Sequence, residues 1–515
     1  MESDRKRIGV VGAGTMGSGI ALSALYSGFD VVLQDAFEDA ITKGEKYIDS
    51  FLEKKGKQKL KSRLTLTKKM GALSDCEIVI EAAIEDLQVK QKLFLELEKV
   101  CSTDAILASN TSTLSVTAIA AACQHPNRIA GMHFFNPAPV LPLVEIVRAA
   151  QTSQETIERL VSLTTDLGKT PVEVSDSPGF IVNRVARPYY GEALRILGEG
   201  GGTVEQIDRI VEQGGSFRMG PFRLMDLIGI DINAGAMRSM YEQTFGEPRY
   251  RPHPLQMQKL AQGALGRKTG QGFYSYEDDS KQATHERITE SVQAEGDVWF
   301  SEGNWAPSLE ESLRSKGYAT HKIGASQKPA AVFVREGRNE DVLVEVQSIL
   351  ESAPEGVPIF VQTADVALSE YLERGLDERI IGFDGLFVTD EFISLQSHEW
   401  ISEKVKENAE NWLTQSGLKF EWLSESPALV LPRIVAQLVN EACFALQDGV
   451  ADKETIDTAM KLGVNYPLGP FEWGAKLGYE KVLAILDHLH SEYHEERYRA
   501  SYLLRNWVRT EVTKR

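Results

Sequence analysis

The sequence predicts an α/β fold with a doubly wound parallel sheet, followed by an all-α part, a shortened second α/β domain and a second helical domain. Apolar strands alternate with amphipathic helices up to about residue 175, and the pattern then stays helical to about residue 262. The helical part recurs near the C-terminus, which indicates a duplication. The predicted domains are 1–184, 185–276, a polar connection at 277–327, 328–425 and 426–515.

Four short apolar runs in the first half are predicted to be buried strands. Amphipathic segments separate them, and the clearest predicted helix covers residues 86–100. Strands that alternate with helices are typical of a parallel sheet covered on both faces. The predicted strands are RIGVVG (7–12), FDVVLQD (29–35), EIVIEAA (77–83) and AILASNT (105–111).

The duplication rests on a constant spacing between similar segments. SPGFIVNR (177–184) returns as SPALVLPR (426–433), and 204–222 returns as 453–471, both at an offset of 249 residues. RYRP (249–252) returns as RYRA at an offset of 248. Fainter similarity extends upstream, but the first glycine-rich turn has no recognisable second copy. We therefore expect the second α/β domain to be degenerate.

Composition excludes several classes of function. A net charge of −18 argues against nucleic-acid binding, and 42% hydrophobic with 25% charged residues is typical of a soluble globular protein. The four cysteines form no CxxC pair, so we expect neither a metal site nor a disulfide framework. Without a signal-peptide pattern or a long apolar run, we expect a cytoplasmic protein with no membrane contact.

A glycine-rich turn follows the first strand and opens a helix. Glycines at its first, third and sixth positions suit a tight turn, close approach of a pyrophosphate and close helix packing. Asp35 ends the next strand, where a carboxylate would bind ribose hydroxyls and repel a 2′-phosphate, so the pattern favours NAD over NADP. The alternative is a glycine turn that binds no nucleotide. The turn consists of Gly12, Ala13, Gly14, Thr15, Met16 and Gly17.

Several motifs in one order make the family recognisable. GAGTMGSGIA, SNTSTLSV (109–116), GMHFFNPAP (131–139), LVEIV (143–147) and SPGFIVNR together resemble the L-3-hydroxyacyl-CoA dehydrogenase family. The similarity covers about residues 5–276, and again 426–510 for the helical part. It implies a Rossmann-type NAD-binding domain followed by a helical domain like that of 6-phosphogluconate dehydrogenase.

The resemblance implies a catalytic His-Glu pair at His133 and Glu145. Oxidation of a secondary alcohol by hydride transfer needs a base for the hydroxyl proton, and a carboxylate on the other ring nitrogen fixes the histidine tautomer. Ser112 and Asn183 match the family residues beside the reacting oxygen of the substrate. Asn136 is a plausible supporting residue for the substrate. Without the family context these residues would be interpreted as a core histidine, a turn serine and a capping asparagine.

Further positions match the family's cofactor and coenzyme A contacts. Glu85, Lys90 and Asn110 match positions near the ribose and nicotinamide. Residues 43–69 carry ten Lys or Arg against three acids and match the helical hairpin that contacts coenzyme A, with Lys54 and Lys55 as candidate phosphate partners. The family's CoA-contacting serine, however, aligns with Phe51. A solvated basic surface is the alternative interpretation of this arm.

The resemblance predicts oxidation of a short-chain 3-hydroxyacyl-CoA, with 3-hydroxybutyryl-CoA as the expected substrate. A β-hydroxyacid dehydrogenase acting on a free acid, and a non-catalytic structural relative, are the alternatives. In the second half Ser112 aligns with Ala364, His133 with Asp384, and Asn183 with Pro432. Glu145 falls in FISLQS (392–397), which contains no acidic residue. We therefore expect that half to be catalytically inactive and to act as an internal dimerisation partner, with a homo-oligomer as a further possibility.

Overall fold

The computed structural model describes residues 7–276, 296–303, 306–325, 328–335, 337, 340–374, 379–389 and 391–512. These residues form two compact units. The first combines Met1–Val185 with Ala445–Gly469, and the second combines Ala186–Phe444 with Pro470–Arg515. These units differ from the predicted domain boundaries, because a segment of the second helical part packs with the first unit.

The first unit contains an eight-stranded sheet in the order β3-β2-β1-β4-β5-β6-β7-β8. All neighbouring strands are parallel except β6 and β7, which run antiparallel. The four predicted strands are present as β1, β2, β4 and β5, and the predicted helix at 86–100 is α3. The strands are Arg7–Val11, Asp30–Gln34, Leu64–Thr67, Ile78–Glu81, Ile106–Ser109, Ile129–Phe134, Leu143–Arg148 and Thr170–Ser175.

Five helices accompany this sheet. Their apolar faces pack with the strands into a core that includes Ile20, Leu33 and Met132, which are almost completely inaccessible to solvent. This packed core holds the parallel strands in place. The loops that carry the candidate site begin at the carboxyl ends of these strands. The helices α1 to α5 are Thr15–Tyr26, Glu38–Lys54, Leu87–Val100, Val116–Ala120 and Gln154–Asp166.

The chain then becomes helical, as predicted. A short π-helix, Ile210–Gly214, continues α8, and an Asp208 carboxylate accepts hydrogen bonds from the Phe222 and Arg223 N–H groups in the first turn of α9. Gly220 allows this close approach, since a Cβ there would lie 2.3 Å from the Asp208 Cγ. The helices α6 to α11 are Val182–Val185, Arg187–Gly198, Val204–Arg209, Pro221–Ile228, Ile230–Gln243 and Pro254–Ala261.

The second unit contains a seven-stranded sheet in the order β10-β9-β11-β12-β13-β14-β15. The order repeats that of the first sheet without a counterpart of β3 among the described residues. Again one neighbouring pair, β13 and β14, is antiparallel. The strands are Asp297–Phe300, Ala319–Lys322, Pro329–Val334, Ile359–Gln362, Ile380–Phe383, Phe392–Ser397 and Lys419–Ser424.

The prediction that 277–327 is an irregular connection was wrong for its described residues. They include β9, the helix α12 (Pro307–Ser315) and β10, which repeat the arrangement of β1, α1 and β2. The strand β9 contributes only DVWF to the sheet and no glycine-rich turn follows it, so its sequence pattern was too short and too polar at its ends to be recognised. The second α/β domain is thus nearer to complete than predicted.

The remaining helices complete the second copy. The helix α17 packs against β7, β8 and α6 in the first unit, whereas α8 packs against β15 and the π-helix against β14 in the second unit. No helix in the described ranges has the length and apolar character needed to cross a membrane. The helices α13 to α20 are Glu340–Ser352, Leu368–Glu373, Glu403–Gln415, Leu431–Gln447, Lys453–Val464, Pro470–Leu477, Tyr479–Tyr493 and Tyr502–Val512.

Candidate functional site

The glycine turn between β1 and α1 has the geometry that a dinucleotide site requires. Gly12 has a positive φ of 102°, and a Cβ there would lie 2.7 Å from the Ala82 carbonyl oxygen. A Cβ on Gly17 would lie 1.8 Å from the Gly12 carbonyl oxygen, so both positions exclude larger residues. Gly14 is exposed and has open space where a side chain would be, and it provides no side-chain cap for α1. The N–H groups of the first turn therefore remain accessible to an anion.

Asp35 follows β2 and lies beside this turn. One carboxylate oxygen accepts a hydrogen bond from the Ala13 N–H at 2.7 Å, and the other accepts one from the Phe37 N–H at 2.9 Å. Asp35 is half-buried. Thr15 is exposed and Met16 half-buried on the same turn. Open space at Gly14 next to an acceptor carboxylate fits the pyrophosphate and ribose of NAD.

The His133–Glu145 pair lies across the antiparallel β6–β7 ladder, where the two residues are direct neighbours. The His133 Nδ1 and Glu145 Oε2 atoms are 2.7 Å apart, and both side chains are buried. Because the carboxylate can only accept, the Nδ1 of His133 donates, and its Nε2 is left as the acceptor. The geometry thus provides a histidine in the tautomer that a general base needs.

The other oxygen of Glu145 is held by the turn that starts α6. The N–H groups of Ile181 and Val182 both donate to Glu145 Oε1 at 3.0 Å. Phe180 just before them has a φ of 50°, an uncommon conformation for a bulky residue. This turn aims two backbone N–H groups at one oxygen of the buried carboxylate and so holds the Glu145 side chain in place.

The structure brings four further predicted residues to the same end of the sheet. Asn183 Nδ2 donates to the Ser112 carbonyl oxygen at 3.3 Å, which links α6 to the loop after β5. Asn110 Oδ1 accepts from the Phe134 N–H at 2.8 Å and holds that loop against β6 next to His133. Asn136 is exposed on the loop that follows β6.

A buried ionic network underlies the loop that carries Ser112. Lys90 is 1% exposed, and its Nζ lies 2.7 Å from Glu81 Oε1 and 3.4 Å from Glu85 Oε2. The buried Lys90 ammonium therefore pairs with the Glu85 carboxylate from the interior side of the loop. Glu81 was missed by the sequence analysis, as was Ser109, whose hydroxyl donates to the other Glu81 oxygen at 2.7 Å. The sequence did offer one signal for Glu81, because it is a carboxylate at the end of a strand that was predicted to be buried.

The Glu85 carboxylate accepts hydrogen bonds from the loop that carries Ser112. Its Oε1 accepts from the Thr111 hydroxyl at 2.6 Å and from the N–H groups of Ser112 and Thr113 at 3.0 and 3.1 Å. Burial of the Glu85 carboxyl opposes ionisation, but the Lys90 charge and these hydrogen bonds together hold the pKa of Glu85 below its ordinary value. Glu85 consequently fixes the conformation of the Ser112 loop.

Lys54 and Lys55 lie at the C-terminal end of α2 and are exposed. The Lys54 ammonium lies 5.6 Å from the centre of the Phe51 ring. Nearby, Lys61 forms ion pairs with Glu45 and Asp49, which neutralise part of the charge of the basic arm. Within the described residues, no hydrogen bond or ion pair joins either candidate lysine to the His133–Glu145 pair.

The second sheet lacks the corresponding chemistry. Phe383 of β13 pairs with Leu395 of β14, and the Asp384 N–H donates to the Ser394 carbonyl oxygen, so Asp384 and Ser394 occupy the places of His133 and Glu145. The predicted loss of the catalytic histidine and glutamate in this half therefore agrees with the strand register.

Comparisons with known proteins identify the family of the chain. The model of the 3-hydroxyacyl-CoA dehydrogenase NAD binding domain matches residues 7–177, and that of the 3-hydroxyacyl-CoA dehydrogenase C-terminal domain matches residues 179–276 and 429–515. The second of these matches both copies of the helical part.

Individual relatives cover either the whole chain or its first half. The 3-hydroxyadipyl-CoA dehydrogenase of Escherichia coli (strain K12) is 36% identical over 97% of this chain and 96% of its own length. A 3-hydroxybutyryl-CoA dehydrogenase of Mycobacterium tuberculosis is 44% identical over 53% of this chain and 98% of its own. The crystal structure of 3-hydroxybutyryl-CoA dehydrogenase from Escherichia coli K12 matches with a TM-score of 0.81 at 32% identity, covering 99% of this chain and 100% of that one. The chain therefore belongs to the 3-hydroxyacyl-CoA dehydrogenase family and is an NAD-dependent oxidoreductase.

Proposed function

We propose that the chain reversibly oxidises an (S)-3-hydroxyacyl-CoA to the 3-ketoacyl-CoA, with His133 as the general base. The observation that carries this proposal is the 2.7 Å contact between His133 and the buried Glu145. The Nε2 of His133 takes the proton of the 3-hydroxyl group, and Glu145 stabilises the imidazolium that forms. Ser112 and Asn183 hold the reacting oxygen. In the reverse direction His133 returns the proton.

NAD, when bound, accepts the hydride from carbon 3 of the substrate. The residues that would hold it are the glycine turn from Gly12 to Gly17 and Asp35. The loop anchored by Glu85 and Asn110 would line the nicotinamide end, with Lys90 acting through Glu85 rather than by direct contact. Lys54 and Lys55 are proposed to meet the phosphates of coenzyme A, because they are exposed cations on the basic arm.

For the acyl group we propose a short chain. The full-length relative and the full-length structure carry names with different acyl groups, 3-hydroxyadipyl and 3-hydroxybutyryl, which share coenzyme A and differ in the far end of the acyl chain. We take 3-hydroxybutyryl-CoA as the reference substrate and 3-hydroxyadipyl-CoA as the second candidate. We also propose a cytoplasmic location, because all four cysteines are free thiols, which fits a reducing compartment.

The test measures NADH oxidation at its absorbance band with acetoacetyl-CoA, longer 3-ketoacyl-CoAs, 3-oxoadipyl-CoA and free acetoacetate. The expected result is turnover that depends on coenzyme A, with the highest kcat/KM for a C4 to C6 acyl group. Turnover of free acetoacetate at a comparable rate would identify a β-hydroxyacid dehydrogenase instead. A protein that binds NADH but turns over none of these compounds would be a non-catalytic relative.

We further propose that the second half is catalytically inactive and serves as an internal dimerisation partner. Two hydrogen bonds at equivalent positions of the repeat support this proposal. Glu192 accepts from the Tyr498 hydroxyl at 2.9 Å, and its counterpart Glu441 accepts from the Tyr250 hydroxyl at 2.6 Å. Each glutamate of one helical copy thus binds the tyrosine of the other, which is the reciprocity expected of an isologous interface.

A buried arginine strengthens these contacts. Arg433 is 0% exposed and bonds to Glu192 at 2.8 Å and to Glu199 at 2.9 Å. A buried cation of this kind requires its partners, because removing one of them leaves an uncompensated charge. The two helical copies are therefore joined by contacts that neither could make alone.

A further inference from the structure

The segment from Asp448 to Gly463 of the second copy lies against the turn that holds Glu145. The helix α17 packs on β7, β8 and α6. A Cβ on Gly463 would lie 2.8 Å from Leu143 Cδ2 and 3.0 Å from Val182 Cγ2, and both of those side chains are buried. Leu143 precedes Glu145 by two residues on β7, and Val182 contributes one of the two N–H groups that hold Glu145.

Polar contacts attach the same segment on both sides of the turn. The Ser175 N–H and hydroxyl donate to the carbonyl oxygens of Val450 and Gly449, both at 2.9 Å. After the turn, Arg184 forms an ion pair with Asp448 at 2.6 Å. The turn is thus fixed at its start, at its end and, through Gly463, at its centre.

We infer that Gly463 is a positioning residue for the dehydrogenase reaction: its missing side chain lets α17 press on Val182 and Leu143 and so keeps Glu145 aligned with His133. The inference rests on the proposed role of the His133–Glu145 pair. Because interior packing is dense, a larger residue at 463 displaces its buried neighbours and moves the Val182 N–H away from the carboxylate. The second copy then contributes to the reaction without carrying any reacting group.

The repeat supplies a matched control. Gly214 is the counterpart of Gly463, and a Cβ there would lie 2.9 Å from Leu431 Cδ1 and 3.5 Å from Phe392 Cδ1. Leu431 and Phe392 are the counterparts of Val182 and Leu143. A larger side chain would therefore clash with its neighbours at either glycine. At Gly214, however, the clash would lie in the second half of the chain, where Ser394 stands in place of Glu145.

The experiment compares Gly463→Leu with Gly214→Leu in the full-length chain. For Gly463→Leu we expect kcat to fall about 10²-fold, because displacing a catalytic group by about 1 Å costs a factor of this order, with the NADH dissociation constant unchanged. Hydrogen exchange of the peptide containing Ile181 and Val182 should become faster in Gly463→Leu and not in Gly214→Leu. Leu143→Ala added to Gly463→Leu should restore part of kcat by making room.

Equal losses of kcat in the two variants, or unchanged exchange at residues 181 and 182, would overturn the inference. If Gly463→Leu does not fold, Gly463→Ala is expected to show a smaller loss of kcat with the same change in exchange. The exchange measurement needs no turnover, so it still tests Gly463 if the proposed substrate is wrong. Absence of turnover in the wild-type chain would instead count against the proposed function alone.

Discussion

Each oxygen of the Glu145 carboxylate is committed to donors, one to His133 and the other to two backbone N–H groups. A glutamine at this position cannot reproduce the pattern. With its NH₂ group toward Ile181 and Val182 it would place donor against donor, and with that group toward His133 it would force the Nδ1 of the ring to accept. The second arrangement moves the ring proton to Nε2, the atom that has to act as the base.

We therefore expect Glu145→Gln and His133→Gln each to lower kcat by about 10²–10⁴-fold, the usual contribution of general-base catalysis. NADH binding, followed by fluorescence titration, should change little, because the glycine turn and Asp35 are untouched. Since the two residues act as a unit, the double variant should be little worse than either single variant. Full kcat in His133→Gln would remove that residue from the proposed role.

The second expectation for a single side chain concerns Asp35 and the choice of cofactor. Wild type should prefer NADH to NADPH, because a 2′-phosphate would meet the Asp35 carboxylate and like charges placed together cost several kcal/mol. Asp35→Ser combined with Phe37→Arg should lower the ratio of kcat/KM for NADH over NADPH by at least about tenfold.

Asp35→Asn is the control for that experiment, since it removes the charge while keeping an acceptor oxygen for the Ala13 N–H. Asp35→Asn should lower the ratio of kcat/KM for NADH over NADPH by less than the double variant does. Equal use of NADPH and NADH by the wild type would contradict the assignment of Asp35.

Sequence motifs identified most of the side chains in the site, since histidine, glutamate and asparagine are visible as letters at family positions. They could not identify the N–H groups of Ile181 and Val182, because every residue except proline has one and only the turn conformation aims them. Glu81 and Ser109 were overlooked for a related reason: both lie in quoted segments, but the sequence does not show which polar side chains of a segment point into the interior and contact other residues there.

The loop between β5 and α4 depends on one carboxylate. Glu85 accepts five hydrogen bonds from residues 111–113, and its pKa lies below the ordinary value. A group with a lowered folded-state pKa stabilises the fold above its unfolded pKa, which is about 4.3 for Glu, and loses that contribution as the pH falls toward the folded value. At pH 7 the wild type should therefore melt at a higher temperature than Glu85→Gln.

The difference in melting temperature should shrink as the pH falls below about 4.3 toward the lowered pKa of Glu85, because the wild-type carboxyl becomes protonated as that pKa is approached. Glu96→Gln is the matched control, an exposed glutamate of the neighbouring helix α3. A difference between wild type and Glu85→Gln that stays constant over this range of pH would show that the Glu85 charge does not order the loop.

Among the strands and helices, long periodic segments such as α3 were predicted close to their observed bounds. The short strand β9 was not, because three apolar residues between polar segments do not distinguish a strand from a loop. Its place in the sheet depends on pairing with β10 and β11, which is a tertiary effect. The same limit explains why the second α/β domain was predicted to begin too late.

At the scale of the whole molecule, the described residues of the second half contain no counterpart of the glycine turn, so one NADH should bind per chain. Equilibrium dialysis or titration calorimetry should give a stoichiometry of one. Gly14→Asp should abolish binding, because it places a carboxylate in the open space beside the first turn of α1, where phosphate is expected. A circular-dichroism spectrum and melting curve similar to those of wild type serve as the control. Two NADH molecules per chain would contradict the inactive second half.

The paired glycines Gly214 and Gly463 also bear on how such a protein can change over generations. In a homodimer encoded by one short gene, every mutation reaches both subunits at once, so a residue needed for chemistry in one cannot be lost from the other. Here the two positions are inherited independently. Val182 packs against Gly463, and its counterpart Leu431 packs against Gly214 in the same way, whereas the adjacent residues Asn183 and Pro432 differ. Joining the two copies in one chain thus allows the copy that we propose to be inactive to lose residues needed for chemistry, and its other residues can change wherever they do not contact the turn around Val182.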